Sequence, residues 1–255
     1  MLNSLFSAFQ MYSRIPTPNV EWSEKNRRYS LCFFPLIGAV TGVFVLVWNF
    51  ICNALDIGDF LYSAGVFAIP VLVNGGIHLD GFCDTCDARA SWGDRQKKLA
   101  ILSDSHIGAF AAIRLSVYVL IYTAIMSELR EVSAAVLIGC GYVLSRALSG
   151  YAAVTFKAAK KEGTLQSFTV PADKKTTVKV LVLTAAVSCF VMMISGFAAG
   201  VAASAAALLS MIYYRRMAYR EFGGITGDLE GWFLQICELC IAAAAALVYK
   251  VTEVL

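Results

Sequence analysis

The run His78-Leu79-Asp80-Gly81-Phe82-Cys83-Asp84-Thr85-Cys86-Asp87 places carboxylates at i, i+4 and i+7, directly after an apolar stretch long enough to span a bilayer. On an α-helix that spacing sets all three on one face. Three like charges on one stripe repel each other, and an ionisable group near hydrocarbon is expensive to leave unpaired, which makes the stripe a functional-site hypothesis. A hard divalent cation is the simplest counter-charge, with Asp80, Asp84 and Asp87 as its candidate ligands. Asp80 alone would also suit a helix N-cap, with Asp84 in the first turn. Capping does not explain a stripe of three.

A second acidic segment lies about 140 residues later: Gly223-Gly224-Ile225-Thr226-Gly227-Asp228-Leu229-Glu230-Gly231, followed by Glu238. Mg²⁺ prefers carboxylate oxygens, keeps several waters and is usually completed by substrate phosphates. Acids beside Arg and Lys therefore suit a diphosphate substrate, with metal for the charged oxygens and cations for the rest. Asp94 and Glu230 read as solvated loop charges. His78 is a candidate general base near the metal, against a hydrogen-bonded structural role, which is also the reading for His106. Gly75-Gly76 and Gly223-Gly224 precede the two acidic segments, where glycine permits close backbone approach or positive φ. Cys83/Cys86 and Cys237/Cys240 form two CxxC pairs. Both sit in expected helices beside acids, which favours oxygen ligation over zinc, and the thiols are expected to be reduced.

The elements that carry these residues are membrane helices. The 255 residues are 58% hydrophobic and 15% charged, against about 25% charged in soluble domains. Segments 31–55, 60–79 and 180–214 contain no Asp, Glu, Lys or Arg. A span needs roughly 20 residues, so 180–214 is read as a hairpin turning near Ser195-Gly196. Weaker spans are 107–127 (interrupted by Arg114), 132–156 (by Arg146) and 232–249 (by Glu238). The fold class is thus all-α: a polytopic bundle of about seven transmembrane helices in one domain covering 1–255. Residues 1–30 are read as an amphipathic interfacial segment rather than a signal peptide. Arg114 and Arg146 should face the bundle interior and pair with acids or phosphate. Seventeen of the 21 Lys and Arg fall at 1–30, 80–106, 157–179 and 215–231. The positive-inside rule then sets the N-terminus and both acidic segments on the cytoplasmic side. No basic face interleaved with aromatics suggests nucleic acid.

The segment GGIHLDGFCDTCDARASWGDRQKKLAILSDSHIGAF resembles the signature of the cobalamin synthases (adenosylcobinamide-GDP ribazoletransferases), a family of polytopic membrane enzymes. Ser13-Arg14-Ile15-Pro16, Phe33-Phe34-Pro35-Leu36-Ile37-Gly38, Ser145-Arg146 and GGITGDLEGWFLQICE extend the resemblance from about residue 6 to residue 245. It implies transfer of adenosylcobinamide phosphate from adenosylcobinamide-GDP to α-ribazole or its 5′-phosphate, with release of GMP and a requirement for Mg²⁺. It also implies residence in a prokaryotic inner membrane, in contact with lipid. Other enzymes of nucleotide-loop assembly and further copies of the chain are compatible partners. Carried onto this sequence, the acidic signature maps to Asp80, Asp84, Asp87 and Asp104, and the later motif to Asp228 and Glu238. The expected metal set is Asp80, Asp84, Asp87 and Asp228; Asp84, Asp228 and His78 are the catalytic candidates. Arg14, Arg95 and Arg146 are candidates for phosphate, and Asp104 and Glu238 for other substrate contacts. The departures are local: Cys83, Cys86, Ala88 and Ala111 stand where family members often have alanine or glycine.

The alternatives are other membrane enzymes that use diphosphates, or an ion-coupled transporter. A CDP-alcohol phosphotransferase would need a DGxxAR run, which Asp80-Gly81-Phe82-Cys83-Asp84 does not supply. A prenyltransferase would need a second similar Asp motif, and GGITGD is a poor copy. A transporter would carry its acids near mid-membrane.

Overall fold

The computed structural model describes residues 1–104 and 106–254. Twelve α-helices carry the chain among these residues: α1 (Leu2–Tyr12), α2 (Glu24–Arg27), α3 (Phe34–Ala54), α4 (Asp59–Asn74), α5 (Ile77–Ala90), α6 (Arg95–Ile101), α7 (Ala109–Ser127), α8 (Val132–Thr155), α9 (Thr164–Thr169), α10 (Lys174–Ser195), α11 (Phe197–Met217) and α12 (Gly227–Val254). Six helical runs are long and apolar enough to cross a membrane, and α4 with α5 makes a seventh if the bent pair counts as one span. The chain is an all-α, multi-pass membrane protein. The hairpin expected within 180–214 turns between Ser195 and Phe197.

One span differs from expectation in a way that builds the site. The apolar run 60–79 is not one helix: α4 stops at Asn74, and α5 leaves at 97° to it. Gly75 and Gly76 both adopt left-handed backbone, with φ of 68° and 84°, a conformation that costs L-residues with a Cβ but not glycine. Asn74 Oδ1 accepts the Gly76 N–H at 2.8 Å and fixes the corner. Arg14 N–H donates to Val73 O at 2.7 Å, so the N-terminal strap is tied to the same corner. The acidic stripe is therefore carried on a short helix turned away from the span. The last helix also begins earlier than the 232–249 reading, at Gly227, so Asp228 and Glu230 lie on its first turn instead of in a loop.

Hydrogen bonds sort the helix ends into two faces. At the far end, Arg130 pairs with Asp59 at 2.6 Å, Tyr62 OH donates to Leu129 O, and Lys250 pairs with Glu128. At the near end, Arg28 meets Asp173 at 3.1 Å, Lys157 N–H donates to Tyr219 OH at 2.7 Å, and an isolated parallel bridge joins Ala158 to Ile225. Between them the core is aromatic and aliphatic, with its hydroxyls paired across helices: Tyr122 to Tyr142 at 2.7 Å and Tyr118 to Gln235 Oε1 at 2.6 Å. Such pairing is required where no water can take its place. The expected interfacial segment is a helix, α1, whose Phe9 packs with Phe34, Ile37, Val73 and Leu234 at the near end.

Candidate active site

Helix α5 crosses the start of α12 at its closest where neither chain has a side chain. A Cβ on Gly81 would stand 2.7 Å from the Asp228 carbonyl oxygen, and one on Gly231 would stand 3.0 Å from the His78 carbonyl oxygen. This contact brings the two acidic segments together at the near end of the bundle. Asp80, Asp87, Asp104 and Asp228 all lie within electrostatic reach of Asp84. An ion pathway through the bilayer would need its acids near mid-span, and these gather at one end.

The carboxylates differ in what they already hold. The carboxyl groups of Asp80 and Asp84 have no hydrogen bond or ion pair to any described residue, although Asp84 is half-buried. Asp228 is touched by Thr226 Oγ1 at 3.4 Å. Asp87 is different: its Oδ2 accepts the Gly108 N–H at 2.6 Å and its Oδ1 the Ala111 N–H at 2.8 Å. Asp87 thus caps α7 from a neighbouring helix and ties the stripe to it, using both oxygens. Asp104 is exposed, and hydrogen bonds from the His106 ring, with Nδ1 2.7 Å away, and from the His106 backbone hold its carboxyl below the usual range.

His78 is buried on the inner side of α5, edge-on to Phe34. Its Nδ1 lies 3.3 Å from Asn74 Nδ2. Because Asn74 Oδ1 is committed to Gly76 N–H, the amide nitrogen is the donor, Nδ1 the acceptor, and the ring proton sits on Nε2. In that tautomer the Nδ1 lone pair is engaged by Asn74 and Nε2 carries the proton, so the ring has no free lone pair with which to act as base.

Of the expected phosphate-binding arginines, two reach the near end. Arg14 lies over Gly75 and lines, with Asn74, Asp80 and Cys83, a cavity of about 630 Å³. Arg95 lies over Gly223, itself at φ 81°, and shares an open groove of about 870 Å³ with Arg220. The groove wall is held by Glu221, which pairs with Lys98 at 2.9 Å and Arg89 at 3.3 Å. Arg146 is elsewhere: it is buried in α8 and forms an ion pair with Glu238 of α12, supported by Ser145 Oγ donating to Glu238 at 2.9 Å. Both expected substrate contacts are thus spent on each other inside the bundle. Arg114 is exposed and donates to Cys86 O at 2.7 Å, with no acid as ion-pair partner among the described residues.

Glu230 corrects the reading of a solvated loop charge. It is buried, and its carboxylate accepts from Ser149 Oγ at 2.5 Å and Tyr214 OH at 3.0 Å. With Asp80, Asp228 and His78 it lines a partly open cavity of about 260 Å³. Glu230 stands two residues after Asp228, which on a helix would have pointed it inward; the late placement of the helix start hid this. Lys160 was also missed: it lies near Asp228 and donates to Ser103 Oγ at 2.7 Å. Only the fold of the 157–173 loop reveals it.

The donor set suits a hard cation bound with water and phosphate. No group of three or more His, Cys, Asp or Glu side chains among the described residues could hold a metal by itself. Asp80 and Asp84, whose carboxyls have no partner among the described residues, with Asp228 close by, match the small carboxylate set with which Mg²⁺ is usually held beside phosphates. All eight cysteines are free thiols, and Cys83, Cys86 and Cys237 are buried in the apolar core.

Fold and site together define a polytopic helical membrane protein with an acidic, cation-lined site at one end of its bundle. Comparison with known proteins narrows this. The family model described as cobalamin-5-phosphate synthase matches residues 4–246, and the chain belongs to that family. A relative from Lachnoclostridium phytofermentans is 44% identical over 96% of this chain and 94% of its own length. One from Clostridium botulinum is 30% identical over 97% and 98%, and one from Pseudomonas fluorescens 31% over 95% and 98%. All three are named adenosylcobinamide-GDP ribazoletransferase. No solved structure matches the chain.

Proposed function

We propose that this chain transfers the adenosylcobinamide-phosphate part of adenosylcobinamide-GDP to a hydroxyl of α-ribazole, or of its 5′-phosphate, releasing GMP during cobalamin assembly. The observation that carries the reading is the meeting of unpartnered Asp80 and Asp84 with Asp228, from distant segments, beside a cavity that Asp80 shares with Arg14, with the Arg95 groove at the same end of the bundle. The names of the relatives support adenosylcobinamide-GDP as the donor and are consistent with a ribazole acceptor. The charge distribution supports a near end facing the cytoplasm of a prokaryotic cell, with the far end outside.

Asp80, Asp84 and Asp228 are the residues that would hold Mg²⁺. When bound, the ion would offset the charge of the pyrophosphate oxygens, the usual need of phosphoryl transfer. Asp87 contributes by fixing α5 against α7, so that the stripe keeps its direction. Arg14 and Arg95 bind phosphate oxygens that the acids alone would repel. The acceptor hydroxyl attacks the phosphorus that carries the cobinamide arm, the new P–O bond forms, and the P–O bond to GMP breaks. The hydroxyl proton passes to Asp228, which is half-buried, with Thr226 Oγ1 3.4 Å from its carboxyl. His78, protonated on Nε2 with its Nδ1 engaged by Asn74, does not serve as base.

The test is incubation of membranes containing the protein with adenosylcobinamide-GDP, α-ribazole and Mg²⁺, followed by mass spectrometry. A complete corrinoid and equimolar GMP are expected. Intact substrates after prolonged incubation would overturn the reading.

A further inference from the structure

We infer that the small, partly open cavity lined by Asp80 and Asp228 receives the base of the acceptor nucleoside, while both ends of the donor remain outside it. This rests on the transferase reading above and adds which substrate half goes where.

The cavity measures about 260 Å³, below the usual range for sites that bury a whole drug-sized ligand. It cannot enclose a corrinoid, but a fused two-ring base fits. Its lining is largely apolar, with Met11, Leu31, Phe34, Leu165 and Leu234, and carries the carboxyls of Asp80, Asp228 and Glu230 together with His78 and the hydroxyls of Tyr12, Ser149 and Thr164. A nucleoside entering base-first would set its ring among the apolar side chains and leave its ribose hydroxyls beside Asp80 and Asp228, where transfer takes place.

The polarity distinguishes the two candidate bases. The base of ribazole is an apolar fused bicycle with no N–H donor, so apolar walls cost it little. Guanine carries N–H donors and acceptors along its edge; Asp80 and Asp228, the carboxyls that could accept its N–H groups, are the ones assigned to the metal, and edge groups set instead against Leu and Met side chains would be left unpaired at a cost of about 1–3 kcal/mol each. Glu230 offers guanine little, since each of its oxygens already accepts a hydroxyl from Ser149 or Tyr214. A better seat for the departing guanylate is the open groove with Arg95 and Arg220. Glu230 acts as a positioning residue: it clamps α8 and α11 to α12 and so sets the floor of the cavity.

Two variants test the assignment in the detergent-solubilised full chain. Ala153→Phe fills the cavity from α8, and Thr164→Trp closes its rim from an exposed position on α9; the second remains informative if the first fails to fold. Steady-state KM is measured separately for α-ribazole and adenosylcobinamide-GDP, and α-ribazole binding alone is followed by calorimetry. Expected is a rise of tenfold or more in KM for α-ribazole, KM for adenosylcobinamide-GDP within twofold of wild type, and a matching loss of α-ribazole binding. A rise confined to adenosylcobinamide-GDP would give the cavity to the donor and overturn the inference, as would unchanged values for both. If wild-type protein forms no product from these substrates, the transferase reading falls and the inference with it; if product forms and the ribazole KM holds steady, only the inference falls.

Discussion

At the scale of single residues, the carboxylates near α5 divide by their existing partners. Asp87 spends both oxygens on the backbone of α7, so Asp87→Ala should act mainly through structure. Loss of a cap costs about 1 kcal/mol, and a lower thermal midpoint in detergent is expected with the apparent Mg²⁺ requirement unchanged. A several-fold rise in the Mg²⁺ concentration needed for half-maximal rate would show Asp87 to be a ligand after all. Glu230→Leu leaves the hydroxyls of Ser149 and Tyr214 buried without their acceptor, each such orphan costing roughly 1–3 kcal/mol; thermal unfolding is the measurement. The stripe itself was legible from spacing, because i, i+4 and i+7 describe one helical face whatever surrounds it. The division of labour within it was not, since Asp87's partners lie 21 and 24 residues away. Glu230 was misplaced for a related reason: its partners come from α8 and α11, and a hydropathy window starts the last span only where charge ends.

At the scale of elements, the 97° corner between α4 and α5 aims the acids. Hydropathy reads 60–79 as continuous because glycine is not polar, and only the paired glycines hint at the break. Gly75→Val would force a β-branched residue to φ 68° and into the Arg14 side chain, which a Cβ would approach to 2.4 Å. It should abolish most turnover while leaving the far end folded, seen as lost GMP release with retained detergent-solubilised yield. Retained turnover would show that the corner does not set the acids. The α10–α11 hairpin was readable in advance because 180–214 is too long for one span.

At the scale of the whole molecule, the Arg146–Glu238 pair joins α8 to α12 within the bundle. Removing one partner strands a buried charge, so Glu238→Leu should destabilise by about 3–5 kcal/mol, whereas Arg146→Leu with Glu238→Leu should recover much of the loss. Additive losses in thermal unfolding would contradict this. Both residues stood out in the sequence as charges within spans; that they answer each other instead of the substrate depends on helix packing that composition does not encode.

The central claim is that Asp84, from α5, and Asp228, from α12, hold one Mg²⁺ against the substrate's pyrophosphate. It is tested most directly by GMP release as a function of Mg²⁺ in purified wild type, Asp84→Asn and Asp228→Asn. Each variant is expected to lose on the order of a hundredfold or more in rate, the scale of losing a group that stabilises developing charge, and its residual activity should demand more Mg²⁺. Wild-type rates with an unshifted Mg²⁺ dependence in either variant would contradict the account.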